Sequence, residues 1–180
     1  MHRRNLLQAL EIYAPDTAEE QNSRRRIIDF VETTPDCFLR SNQAGHVTGS
    51  ALLFNPRRGQ FLLNYHGTFN KWLTFGGHAD GDGDLEAVAR RETAEESGIH
   101  DVTNGLPGIF DADIHPIPEN PHKGEPAHFH YDIAYLFETD ADDYVVSSES
   151  IDLRWFTPEE VLNLPVDSRM IRMMKKCRNF

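Results

Sequence analysis

Cysteine is nearly missing from the 180 residues: Cys37 and Cys177 stand alone, with no Cys-x-x-Cys pair. That argues against a disulfide scaffold and for a reducing, intracellular setting. Long apolar runs are missing too, and none approaches the about 20 residues that span a bilayer. The Leu6-Leu7 segment is too short and too polar for a signal peptide, so the expected location is the cytoplasm, with no membrane partner. Basic residues are scarce, 18 Lys and Arg against 29 Asp and Glu, a net charge of −11. Nucleic-acid binding relies on clustered Lys and Arg, so no nucleic-acid partner is expected, and Arg24-Arg25-Arg26 reads as a solvated helix face. An acidic protein with an anionic substrate would need metal to bridge the two.

What is present suits one soluble domain with an extension. The chain is long enough for one sizeable core, 39% of it is apolar and 26% charged, and it contains no internal repeat. Residues 2–13 and 17–32 have helical spacing, the second with Asp16 as its expected cap. Val47–Phe54 and Gln60–Tyr65, joined by the turn residues of Asn55-Pro56-Arg57-Arg58-Gly59, read as a hairpin.

The stretch from Gly76 to Ile99 begins like a metal loop and ends like an acidic helix. Asp80, Asp82 and Asp84 alternate like the first ligands of a calcium loop, but the places for its glycine and its bidentate glutamate hold Leu85 and Arg91. A phosphate-cradling loop fails as well, because Asp82 rather than Lys follows Gly81. The second half reads as an amphipathic helix capped by Asp84, with Leu85, Val88 and Ala89 as its apolar stripe and Gly98 closing it. Glu92, Glu95 and Glu96 share one face, as residues three and four apart do. Crowding like charges costs stability unless cations offset them. Arg90 and Arg91 would do so on a merely solvated face; Mg²⁺, which prefers hard oxygen ligands, would do so in a site.

The segment resembles the Nudix box, G-x5-E-x7-R-E-U-x-E-E-x-G-U with U aliphatic: Gly77 takes the first place, then Arg91-Glu92, Glu95-Glu96 and Gly98-Ile99. Two positions depart from it, Gly83 where the isolated Glu belongs and Thr93 at an aliphatic place, and Asp82 and Asp84 flank Gly83 as stand-in carboxylates. The resemblance extends over about residues 46–165. Lys71-Trp72-Leu73-Thr74-Phe75 precedes the double glycine, and Ile151 to Val161 looks like a closing strand and short helix. It implies an α/β (α+β) Nudix fold, a mixed β-sheet sandwiched between helices, with a domain over 41–180 and an N-terminal helical extension over 1–40 that serves packing or homodimer formation rather than acting as a substrate lid.

The resemblance also implies hydrolysis of a diphosphate linkage aided by Mg²⁺, with Mn²⁺ as the alternative. The metal ligands would be Glu92, Glu95, Glu96 and the Gly77 carbonyl, with Glu96 central. Arg91 would orient Glu95 by an ion pair, and general-base duty falls to Glu95 or to Glu125. His78 and Asp82, in the approach to the helix, are expected to meet substrate.

One further segment, Asp111 to Asp132, reads as a loop rich in proline and charge that runs into a strand near Ala127. Alternation puts His128 and His130 on one strand face and Tyr131, Ile133 and Tyr135 on the other. With Glu125 nearby the two histidines could form a zinc site, but no third ligand stands at a fixed spacing. The readings favoured over zinc are contact with substrate phosphate or sugar, support of the carboxylates, or a structural role. His115 and His122 read as solvated loop histidines. The expected partner is a small-molecule nucleoside diphosphate derivative, an NDP-sugar or ADP-ribose-like compound, with Pro116 near the place where a proline marks ADP-ribose-type substrates in the family. A dinucleoside polyphosphate and a nucleotide-sensing domain with weak catalysis, which Gly83 favours, are the alternatives. Trp72, Phe75 and Phe129 are aromatic candidates for stacking a base.

Overall fold

Thr17 opens the second helix with extended backbone, and its hydroxyl accepts the Glu20 N–H at 3.2 Å. Glu20 bends back to take the Asp16 N–H at 3.2 Å, so the cap is Thr17 and not Asp16: a Thr followed three residues later by Glu satisfies two free N–H groups at once. The computed structural model describes residues 2–121, 124–148 and 150–177. They form two compact units, residues 1–50, 76–89 and 107–135 in the first, and 51–75, 90–106 and 136–180 in the second.

The first unit begins with α1 (His2–Ile12) and α2 (Ala18–Thr33). Leu6 and Leu10 of α1 and Ile27 and Val31 of α2, each pair one turn apart, are buried. Phe30 stacks on Tyr131 with ring centres 3.8 Å apart. To these helices the first unit adds the start of β1 (Gly45–Asn55), β4 (Phe75–His78), β6 (Asp111–Ile117) and most of β7 (His128–Glu138). β6 and β7 pair antiparallel with His115 opposite His130 and Asp113 opposite Asp132. The segment expected to be a loop is therefore a strand over its first seven residues. Pro116 lies within it, and a strand with one pairing partner can hold a residue that has no N–H to donate. β4 lies so close to β1 that a Cβ on Gly76 would sit 2.6 Å from the Ser50 Cβ, so glycine is required there by space rather than by conformation.

In the second unit, the end of β1 forms the expected hairpin with β2 (Gln60–His66), Leu53 opposite Leu62 and Asn55 opposite Gln60. The Asn55 side chain accepts the N–H groups of Arg57 and Arg58 and holds the turn. β3 (Lys71–Leu73) and β8 (Ser150–Phe156) flank β2, and β5 (Thr103–Asn104) pairs with the end of β7. Thr157 and Glu160 form a capping box on α4 (Pro158–Leu162). Residues 168–176 form a further helix, α5 (Ser168–Lys176), which buries Met170, Met173 and Met174. α3 (Leu85–Ser97), like β1 and β7, runs from the first unit into the second. The order of pairing is β3-β2-β1-β7-β5, with β4 on β1, β6 on β7 and β8 on β2, an α+β arrangement.

Candidate functional site

α3 starts where its sequence says it should. Asp84 accepts the Ala87 N–H at 3.1 Å, and Asp82 accepts the Asp84 N–H at 2.9 Å, so both carboxylates that flank Gly83 help to build the helix start. Leu85, Val88 and Ala89 are buried, as their stripe predicts. The helix ends at Gly98, whose φ of +71° an L side chain rarely adopts and whose N–H reaches the Ala94 carbonyl at 2.9 Å.

On the second half of α3, Glu96 is buried to 8% exposure, while the Glu92 and Glu95 side chains are 17% and 64% exposed. Arg91 lies 2.9 Å from Glu92 and 4.0 Å from Glu95, so its nearer partner is the adjacent carboxylate. Its neighbour Arg90 turns elsewhere: it donates to the Val102 carbonyl at 2.9 Å and covers the Phe137 ring. Two carboxylates in reach of one guanidinium, with the buried Glu96 on the same helix, are hard oxygen donors that suit a hard divalent cation.

The first unit gathers histidines. Strand alternation places His46, Thr48 and Ser50 on one side of β1, and His128, His130 and Asp132 on one side of β7. Asp132 is buried and accepts the Thr48 and Ser50 hydroxyls at 2.5 Å each. Asp113, directly across from it, contacts the His115 Nδ1 at 3.1 Å, so two facing carboxylates have separate partners. Nearer the strand ends, the His46 ring centre lies 4.8, 4.9 and 5.0 Å from those of His78, His130 and His128. His115 packs edge-on to His130 at 5.5 Å and is a strand residue rather than a loop one. His122 lies outside the described residues.

Burial shapes the protonation of this cluster. It pushes His130 down to about 2, with His115, His78, His46 and His128 adding to the effect. It pushes His78 down to about 4, with Arg40 the next cause. His46 is lowered as well, by burial first; the Asn42 backbone pulls the other way, yet neither ring nitrogen of His46 meets a hydrogen-bond partner in good geometry. These are neutral imidazoles at neutral pH. Beside them, a cleft of about 110 Å³ is lined by Arg40, His46, His78, Glu125 and His128, among others. Arg40 makes a two-point ion pair with Asp80, its Nε 2.7 Å from the carboxylate.

The structure thus brings His78, His128 and His130 together with Glu125 near two of them, keeps Asp82 at the helix start, and sets Glu92, Glu95, Glu96 and Arg91 on one helix. The residue that sequence reasoning missed is His46. Its signal was the polar alternation His46, Thr48, Ser50 in an otherwise apolar strand, the same pattern that was read in β7. Phe75 is fully buried and so belongs to the core, whereas Phe129 is 43% exposed.

A family model of the NUDIX domain matches residues 45–177. The chain belongs to this family. It is similar in fold to the MutT protein from Methanosarcina mazei Go1, at 23% identity and a TM-score of 0.57, over 77% of this chain and 96% of that one. A C. elegans Ap4A hydrolase is similar at 18% identity and 0.55, over 72% and 93%. The NUDIX domain of Shewanella oneidensis NrtR, solved with ADP ribose, is similar at 14% identity and 0.55, over 84% and 96%. No match was found among curated proteins.

Proposed function

We propose that the protein hydrolyses the diphosphate linkage of a nucleoside diphosphate joined to a sugar or an ADP-ribose-like group. One observation carries this reading: the R-E and E-E pairs of the Nudix box lie on a single helix, with Glu96 buried beside the more exposed Glu92 and Glu95. Glu92, Glu95, Glu96 and the Gly77 carbonyl are the groups that would hold Mg²⁺, or Mn²⁺, which when bound offsets charge on the phosphoryl oxygens and acidifies water. In the reaction, water adds to one phosphorus, the bond from that phosphorus to the bridging oxygen breaks, and the second phosphate leaves with that oxygen. Arg91, 2.9 Å from Glu92 and 4.0 Å from Glu95, is proposed to orient these two carboxylates. The proton released by the attacking water goes to Glu95 or to Glu125, the two carboxylates we assign to that duty. His78, Asp82, His128 and His130 are proposed substrate contacts. Residues 1–40 are proposed as an extension for packing or homodimer formation on a domain over 41–180.

The structures solved with ADP ribose and named for Ap4A are consistent with the two leading substrate classes, and Pro116 favours the first. Gly83 supports a second reading, a domain that binds such nucleotides as a sensor with weak turnover. Product chromatography separates them. ADP-ribose, several NDP-sugars and diadenosine polyphosphates are incubated with Mg²⁺ or chelator, beside Glu96→Gln. Metal-dependent cleavage that falls by about 10²- to 10³-fold in the variant, the usual cost of losing one electrostatic group at a reacting centre, is expected. Binding of one compound with no cleavage of any would replace the hydrolase reading with the sensor.

A further inference from the structure

We propose that the first unit holds a second, chemically different metal centre, in which the imidazoles of His46, His78 and His130 bind one Zn²⁺ ion. These three residues come from three strands, β1, β4 and β7, and their ligand nitrogens all lie within 4.8 Å of one another. Two nitrogens on a tetrahedral zinc, at about 2.0–2.1 Å from the metal, stand about 3.3 Å apart. Drawing three nitrogens in from a 4.8 Å triangle needs shifts of less than about 1 Å each. The rings are already spaced for it: imidazoles that share one zinc have centres about 5 Å apart by the same geometry, and the three pairs here are at 4.8, 4.9 and 5.2 Å.

A second, independent observation points to a ligand. His46 is 3% exposed, and neither of its buried ring nitrogens meets a hydrogen-bond partner in good geometry; the Asn42 backbone, which favours the protonated ring, can serve one nitrogen at most. An orphaned buried polar atom destabilises the fold, and a strand position that tolerated any apolar residue would avoid it. A metal bond removes the cost.

His128 completes the set. Its Nδ1 lies 2.8 Å from the Pro126 carbonyl, which can only accept, so in the neutral ring that nitrogen carries the proton and Nε2 presents a lone pair. Ligating histidines are commonly fixed in this way by a backbone carbonyl. Nε2 lies 3.2 Å from the His130 Nε2, close to the separation of two co-ligands, which makes His128 the candidate for the fourth position. Imidazole donors select zinc and its transition-metal neighbours over Mg²⁺, which takes oxygen. The centre therefore differs in donor type from the carboxylates of α3; it does not depend on the hydrolase reading, and it replaces the substrate contacts proposed above for His78, His128 and His130.

The test is zinc binding by the full chain after treatment with chelator, measured by calorimetry in millimolar Mg²⁺, with zinc-edge X-ray absorption on the loaded wild-type protein. One equivalent of zinc is expected, with the outer-shell scattering of several imidazoles. Binding is expected to persist in the Glu92→Gln/Glu95→Gln/Glu96→Gln protein and to weaken in His46→Gln and His130→Gln by more than about 100-fold, beyond what losing an outer partner causes. His128→Gln should weaken it less. Should a histidine variant fail to fold, the absorption spectrum of the wild type decides by itself. Absence of binding tighter than about 10 µM, a zinc shell of oxygen only, or a site lost in the glutamate variant but kept in His46→Gln would each overturn the proposal and leave the cluster as packed neutral imidazoles.

Discussion

The carboxylate face of α3 and the histidine cluster of the first unit both crowd ionisable groups of one kind, and they manage the crowding by opposite means. On α3 the groups keep access to water in part, and Arg91 stands 2.9 Å from Glu92 as a local counter-charge. Around His46 the structure offers burial, which drives protons off the rings, and the nearest guanidinium works in the same direction: Arg40 is the second cause that lowers His78. One arrangement gathers negative charge that stays in part exposed, and the other removes positive charge and leaves nitrogen lone pairs. What distinguishes the two is desolvation rather than residue count, since it penalises whichever form is charged.

The comparison is tested hardest at the closed end of the histidine stripe. Asp132→Ala removes both 2.5 Å bonds and leaves the Thr48 and Ser50 hydroxyls without their acceptor, a loss expected to cost about 3 kcal/mol in chemical denaturation. Asp132→Asn keeps an acceptor oxygen and should cost about half as much. Equal loss in both would mean that charge rather than hydrogen bonding secures the stripe.

A shift of pH separates the two regions next. In metal-free protein, His78 and His130 are neutral when folded down to about 4 and about 2, but protonate near 6.5 when unfolded. The unfolded chain then binds more protons, so stability is greatest above about 6.5 and is lost as pH falls, at up to about 1.4 kcal/mol per pH unit for each histidine. Calorimetric melting between pH 7.5 and 4.5 should show this slope, and it should be shallower in His78→Gln. An unchanged slope in that variant would place the proton uptake elsewhere. At the far end of α3, Gly98→Ala forces a side chain into φ +71° with its Cβ 3.0 Å from that of Val145, and should cost about 1–2 kcal/mol without altering the pH slope.

These regions were unequally legible in the sequence. α3 could be read whole, from the Asp84 cap to Gly98, because its spacing, stripe and carboxylate face are local properties of one helix. The hairpin at Asn55 was legible for the same reason. β6 was not: Pro116 and the charges around it look like a loop, and only pairing with β7 makes Asp111–Ile117 a strand. Likewise, His128 and His130 could be placed on one face, but the partners that turn two histidines into a cluster arrive from β1 and β4, at sequence distances no spacing rule connects. The Asp16 reading failed more narrowly, since Asp16 and Thr17 are both good caps and the choice fell to the residue with Glu20 three places on.

The smallest effect bears most directly on the contrast. Arg40 and Asp80 form an exposed pair, 55% and 48% accessible, so Arg40→Ala should change stability by less than about 1 kcal/mol. Yet Arg40 is the leading charge that opposes protonation of His78, while Asp80 favours it. Removing the guanidinium leaves the carboxylate alone beside the ring, and the His78 titration followed by proton NMR should move upward while remaining below 6.5, because burial, the largest cause, is untouched. A rise to the ordinary value would show that charge, not desolvation, keeps these imidazoles neutral, and the two regions would then differ only in the sign of the ion placed next to them.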